Sequence, residues 1–136
     1  MNNHTPIRGD IYRFDFGQNP GSVQCGVRPA VVIQNNTLSA HSPVVIVAPV
    51  SSVQKKQSMP AHVFLGQRFG LILESQVLLE QIRTVPQSQL GKYIGHIDDE
   101  AIMHLIDEGL CKTLGISSDA LMTNSSNLEE VPYEKK

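Results

Sequence analysis

The sequence predicts a mainly β fold, a small twisted barrel of short strands with one late helix packed on it. Three observations carry this. Short apolar runs separated by Gly, Pro, Asn and Ser fill residues 9–97. After Asp98 the apolar spacing lengthens from two residues to three and four, the change from strand to helix period. No segment repeats, which sets aside solenoids and propellers. Several strands followed by a single helix fit a closed sheet with the helix as its cover.

Each element has its own local reason. Ile11 to Phe16 alternates apolar and polar side chains after Gly9, the pattern of a half-buried strand. Gly17 to Gly26 is rich in Gly, Asn, Pro, Ser and Gln, and is longer than a hairpin turn requires. Ala30 to Ile33 is continuously apolar, as a strand buried on both faces would be, and Asn35-Asn36 closes it. A third strand, Val44 to Ala48, ends at Pro49, and Ser51 to Met59 is polar loop. Ala61 to Leu65 makes a short strand, with a turn bracketed by Gly66 and Gly70. Gln76 to Ile82 reads as one strand, Gln87 to Leu90 as a single helical turn, and Tyr93 to Ile97 as the last strand. Asp98 then serves as N-cap of a helix whose apolar face is Ile102, Leu105, Ile106, Gly109 and Leu110, stopped by Gly115. The expected domain is residues 1–116. Residues 117–136 are polar and read as a mobile tail, with a helical turn near Ala120-Leu121-Met122.

Size and composition narrow the function. The 136 residues suffice for one domain with its own core. The two cysteines, Cys25 and Cys111, are far apart and form no CxxC or Cys/His grouping, so neither a disulfide framework nor a zinc site is expected. Met1 to Pro6 is polar, with no leader-like apolar run behind it. No stretch approaches the roughly 18 apolar residues of a membrane span. A cytoplasmic protein is expected, away from membranes. The net charge of −2 is unevenly spread. Residues 1–96 carry eight basic groups against four acidic ones, a balance of +4; residues 97–136 carry three against nine, a balance of −6. A basic body suits a polyanion. Ordinary scatter of surface charge gives the same split.

The most informative segment is Gly21-Ser22-Val23-Gln24-Cys25-Gly26-Val27-Arg28-Pro29. Its loop delivers an arginine to the mouth of a buried strand. Pro29 fixes its own φ and biases Arg28 towards extended backbone, so the exit direction of the side chain is constrained. A guanidinium so mounted suits bidentate capture of phosphate, or else ties the loop backbone. Ser51-Ser52, after the third strand, can bond a phosphate oxygen or simply make a turn. Lys55-Lys56 continues that loop, either solvated or tracking a nucleic-acid backbone. The five histidines show no metal-ligand spacing, and His96 reads as a packed or surface residue. Arg8-Gly9-Asp10 reads as a turn ahead of the first strand. No phosphate-binding or dinucleotide fingerprint is present.

Taken in order, these segments resemble the MazF/PemK (Kid) toxin family. The likeness is carried by Arg8-Gly9-Asp10-Ile11-Tyr12, by Gly21-Ser22-x-Gln24-x-Gly26-x-Arg28-Pro29 running on through Ala30-Val31-Val32-Ile33-Gln34-Asn35, by Ile46 to Ser51 and by Leu79-Glu80-Gln81-Ile82-Arg83-Thr84. Gly95-His96 and the terminal helix match as well, and residues 6–116 are covered. The resemblance implies an SH3-like barrel of the CcdB/PemK type paired as a homodimer, and cleavage of single-stranded RNA at a short sequence with neither metal nor cofactor. It implies a cognate antitoxin whose segment folds over the RNA groove, and contact with DNA only through that complex. The family's catalytic arginine falls on Arg28 and its hydroxyl residue, usually threonine, on Ser51. RNA-binding positions fall on Ser22, Gln24, Ser52, Lys55, Lys56 and Gln81. Three residues depart from the family pattern: Val23 where glutamate is common, Cys25 where glycine or alanine is, and Ser51 itself. Two other outcomes remain compatible with the same barrel: a CcdB-like gyrase-binding poison, and a relative that binds RNA or antitoxin without cutting. A DNA-binding regulator fits least, since the helix region is acidic.

Overall fold

The computed structural model describes residues 4–52 and 59–117. Seven strands and two helices follow one another: β1 (Asp10–Asp15), β2 (Val27–Val32), α1 (Asn36–His41), β3 (Val44–Ser52), β4 (His62–Gly66), β5 (Ser75–Leu78), β6 (Arg83–Pro86), β7 (Tyr93–His96) and α2 (Glu100–Leu114). The strands form one sheet in the order β4-β5-β3-β2-β1-β7, with β6 also on β3, and every pairing is antiparallel.

β3 organises the molecule. Its first half, Val44 to Val47, pairs with β6, and its second half, Val50 to Ser52, pairs with β5. Its run therefore continues past Pro49, where the sequence reading ended it. Pro49 has no N–H to give, and it falls where β6 pairing has ended and β5 pairing has not begun. The same switch explains a second correction. Gln76 to Ile82 is not one strand, because the chain must leave the β5 ladder and enter the β6 ladder. It does so through a 3-10 turn, Leu79–Gln81, pinned where Leu79 N donates to Ala61 O at 3.0 Å.

Two further differences concern helices. Asn35-Asn36 does not merely close a strand: the Asn35 side chain accepts from Thr37 N at 2.8 Å and starts α1. Six residues are too few to display a helical period. The cap of α2 is Asp99 rather than Asp98; its Oδ1 accepts from Ala101 N at 3.0 Å and Ile102 N at 3.3 Å. Arg68 donates to Asp99 Oδ2 at 2.9 Å and, as the largest cause, holds that carboxyl below its ordinary value. Gly115, at φ +70°, ends the helix as expected. The helical turn at Gln87–Gln89 is also present. Leu105, placed by spacing on the apolar face, is exposed, whereas Ile106 and Gly109 are buried.

The sheet has apolar residues on both faces, which is why Ala30 to Ile33 is buried throughout. One cluster, including Ile11, Val31, Val50, Val77 and Leu79, is covered by α2 through Ile106. The other gathers Tyr12, Phe14, Phe16, Val32, Val47 and Val85. Each fully buried aliphatic side chain contributes about 1.5–3 kcal/mol relative to exposure. Among the described residues no helix is long and apolar enough to cross a membrane.

Candidate nucleic-acid interface

The loop between β1 and β2 is closed at its base by Phe16 N donating to Gly26 O at 2.9 Å and Gly26 N donating to Gly17 O at 2.7 Å. Gly17 and Gly26 stand at φ +73° and +78°, conformations an L side chain rarely adopts. Asn19 Nδ2 ties the interior, donating to Phe16 O at 2.9 Å and Gln24 O at 2.7 Å. From across the barrel Gln81 grips the tip: its Oε1 accepts from Gln24 N at 2.8 Å and its Nε2 donates to Ser22 O at 3.0 Å. The family-implied residues Ser22, Gln24 and Gln81 are thus brought together, but by a brace in which the Gln81 amide is already engaged. Ser22 remains exposed and Gln24 half-buried.

This loop aims Arg28. Its Nε donates to Cys25 O at 2.9 Å, fixing the guanidinium plane. The two readings of Arg28, loop tie and phosphate ligand, are compatible, because a bond through Nε leaves the terminal nitrogens for an anion. Arg28 stands opposite Phe14 on β1. On its other side the β2–β3 ladder stops at Ala30–Pro49, and continuing its count places Arg28 opposite Ser51. A cleft of about 280 Å³ opens there, lined by Arg13, Arg28, Ser51 and Ser52, with Ile72 and Leu73 as an apolar wall. Ser51 Oγ has only a 3.4 Å contact to Ser52 O, which leaves it ready for a better acceptor. Lys55 and Lys56 lie outside the described residues.

On the far side of the loop a second cleft, about 330 Å³, is lined by Val23, Gln24, Glu80, Gln81 and Arg83. Val23 is exposed, yet the cleft does not lack a carboxylate, since Glu80 lines it too. Glu80 Oε2 lies 2.8 Å from His62 Nε2. Arg83 lies over the rings of Phe14 and Phe16, 5.8 and 5.6 Å from their centroids. Glu80, Arg83 and Arg13 were not singled out from sequence. The first two sat within a recognised motif, Glu80 inside an expected strand and Arg83 just after it; Arg13 was one polar residue in an alternating run.

Other conspicuous residues are structural. Arg8-Gly9-Asp10 is a turn: Arg8 Nε donates to Ile33 O at 2.9 Å, and Arg8 pairs with Asp107 at 2.5 Å. Asp10 is buried, accepts from Ile7 N at 2.9 Å and lies 2.8 Å from His96 Nδ1. Burial first, then the Asp10 charge, pushes the Tyr12 hydroxyl up to about 12. Both cysteines are free. Among the described residues no three His, Cys, Asp or Glu side chains group as a metal site.

The fold and site define a class, the small antiparallel β-barrel proteins with a covering helix, here with a guanidinium and a hydroxyl lining one cleft. Residues 7–114 match the PemK-like, MazF-like toxins of type II toxin–antitoxin systems, and the chain belongs to that family. It is 42% identical over 110 residues to endoribonuclease EndoA of Bacillus subtilis (strain 168), spanning 80% of this chain and 94% of that one. A mycobacterial endoribonuclease solved in complex with its cognate antitoxin superposes with a TM-score of 0.69 at 27% identity, over 82% and 97% of the two chains. MazF of Deinococcus radiodurans shares the fold, with a TM-score of 0.69 at 21% identity over 84% and 100%.

Proposed function

We propose that this toxin, an endoribonuclease of its family, cuts single-stranded RNA at a short sequence, with the RNA's own 2′-hydroxyl as nucleophile. The observation that carries the reading is Arg28, fixed through Nε and turned towards the cleft that Ser51 also lines. The 2′-oxygen forms a bond to phosphorus as the bond from phosphorus to the 5′-oxygen breaks, leaving a cyclic phosphate and a 5′-hydroxyl. The protein's share is to hold these atoms in line and to stabilise charge on the phosphoryl oxygens. Arg28 supplies the charge through its terminal nitrogens, and Ser51 supplies one hydrogen bond. A guanidinium is too weak an acid to give up a proton, so Arg28 donates only a hydrogen bond to the leaving 5′-oxygen, and solvent water supplies the proton that makes it a hydroxyl. Solvent water takes the 2′-hydroxyl proton, since no carboxylate among the described residues lines the Arg28–Ser51 cleft; Glu80 lines the other cleft and lies 2.8 Å from His62 Nε2.

The acting form is a homodimer in the cytoplasm, neutralised by a cognate antitoxin and meeting DNA only through that complex. The antitoxin part of this reading is supported by the mycobacterial relative solved with its antitoxin; the homodimer, the location and the DNA contact rest on family membership. The test is incubation of purified protein with long mixed-sequence RNA in EDTA, beside Arg28→Ala, with fragment ends mapped. Discrete fragments with 5′-hydroxyl ends are expected, slowed on the order of a hundredfold or more in the variant. Intact RNA with folded wild-type protein would leave a binding protein on a nuclease scaffold.

A further inference from the structure

The cleft at Arg28 and Ser51 does not end at Arg13. A second depression of about 270 Å³ shares Arg13, Pro29, Leu71 and Ile72 with it and continues to Lys92 and Tyr93. Together they make one groove across the sheet.

Local chemistry builds this extension. Arg13 N donates to Lys92 O at 2.8 Å and Gly91 N donates to Arg13 O at 2.7 Å, so the two cations are held on adjoining backbone. The facing wall is the turn leading to Leu71 and Ile72. It lies so close to β7 that a Cβ at Gly95 would overlap Phe69 O, and a Cβ at Gly70 would overlap Ile94 O. Leu71 anchors the wall in the core while Ile72 stands 86% exposed. Tyr93 is half exposed and rests edge-on against Tyr12, with centroids 5.5 Å apart.

Charge gives the groove its purpose. Arg8 and Arg68 are paired with Asp107 and Asp99. Among the described residues, by contrast, no carboxylate pairs with Arg13 or Lys92, and none lines either half of the groove. Three cations in file with an exposed ring and an exposed aliphatic match a single-stranded polynucleotide, whose phosphates take the charges and whose bases take the flat apolar surfaces.

We propose that Arg13, Lys92 and Tyr93 form a flanking-nucleotide subsite for the RNA strand, next to the phosphate held at Arg28. The proposal rests on the ribonuclease reading above and deepens it. Arg13 and Lys92 bind phosphates that are not cleaved, and Tyr93 with Ile72 stacks a base beyond the cut.

The test compares wild type with the double variant Arg13→Ala/Lys92→Ala on two substrates, a long single-stranded RNA and an oligonucleotide trimmed to the cut sequence. The variant should lose about tenfold more in kcat/KM on the long RNA than on the trimmed one, mostly through KM. Its salt slope should flatten by about 1.4, since each of the two lost single-strand phosphate contacts contributes roughly 0.7. Arg13→Lys/Lys92→Arg should restore both readings, which guards against a folding defect. Equal losses on the two substrates, or an unchanged salt slope, would overturn the subsite. If wild type cuts neither RNA, the ribonuclease reading fails separately. Binding of a labelled 2′-O-methyl RNA then still decides, with equal affinity for wild type and double variant refuting the groove.

Discussion

At the scale of single residues, the site depends on side chains whose freedom has been removed. Arg28 spends one donor on Cys25 O and keeps the rest for an anion, so little rotamer entropy remains to be lost on binding. That much was readable locally, because Pro29 restricts the residue before it. The Gln81 brace was not, since it joins positions 57 and 59 apart that only the folded sheet brings together. Glu80 was hidden in the same way. Tyr12 provides a test of the buried polar cluster. Its hydroxyl ionises near pH 12 in the folded protein, against an ordinary value of 10.0. The folded state therefore favours the neutral phenol. This stability is complete below pH 10 and declines as pH rises from there through 12. Ultraviolet titration of the three tyrosines should show a step near pH 12 that Tyr12→Phe removes. Ionisation of Tyr12 near 10 in folded protein would refute the assignment.

At the scale of elements, the outcome followed how far each signal reached along the chain. The fifteen residues of α2 displayed a helical period and a glycine stop, and both are present. Only its cap moved by one residue, since Asp98 and Asp99 offer the same chemistry. α1 was invisible because one turn has no period, although Asn35 offered a cap. The break at Leu79–Gln81 was invisible because it answers to which half of β3 the chain must meet, a tertiary demand. α2 also makes a sharp prediction through Gly109. A Cβ there would overlap Leu79 Cδ1, and Leu79 is fully buried with nowhere to go. Gly109→Ala gains about 1 kcal/mol of helix propensity but overpacks the core at a cost of about 1–3 kcal/mol. Urea unfolding should show a net loss of about 1 kcal/mol; a gain would mean that the helix–sheet contact is looser than it looks.

At the scale of the whole molecule, β3 joins two ladders, and the groove of Ser51, Arg28, Arg13 and Lys92 crosses the sheet beside it. The barrel, its strand-rich body and its covering helix were legible because alternation and turn residues report them directly. The +4 balance of residues 1–96 hinted at a polyanion. It did not show where: Arg8 and Arg68 turn out to be paired, whereas Arg13, Arg28 and Lys92 pair with no carboxylate among the described residues. Position in space, not count, decides which charges serve a ligand. The central claim is that this surface holds an RNA strand while the RNA attacks itself. The most direct measurement uses an RNA carrying a single 2′-deoxyribose on the 5′ side of the mapped cut. Cleavage at that bond should vanish while binding is retained, and neighbouring cut sites should be processed as before. Continued cleavage at the deoxy position would show that the nucleophile comes from elsewhere, and the roles given to Arg28 and Ser51 would fall with it.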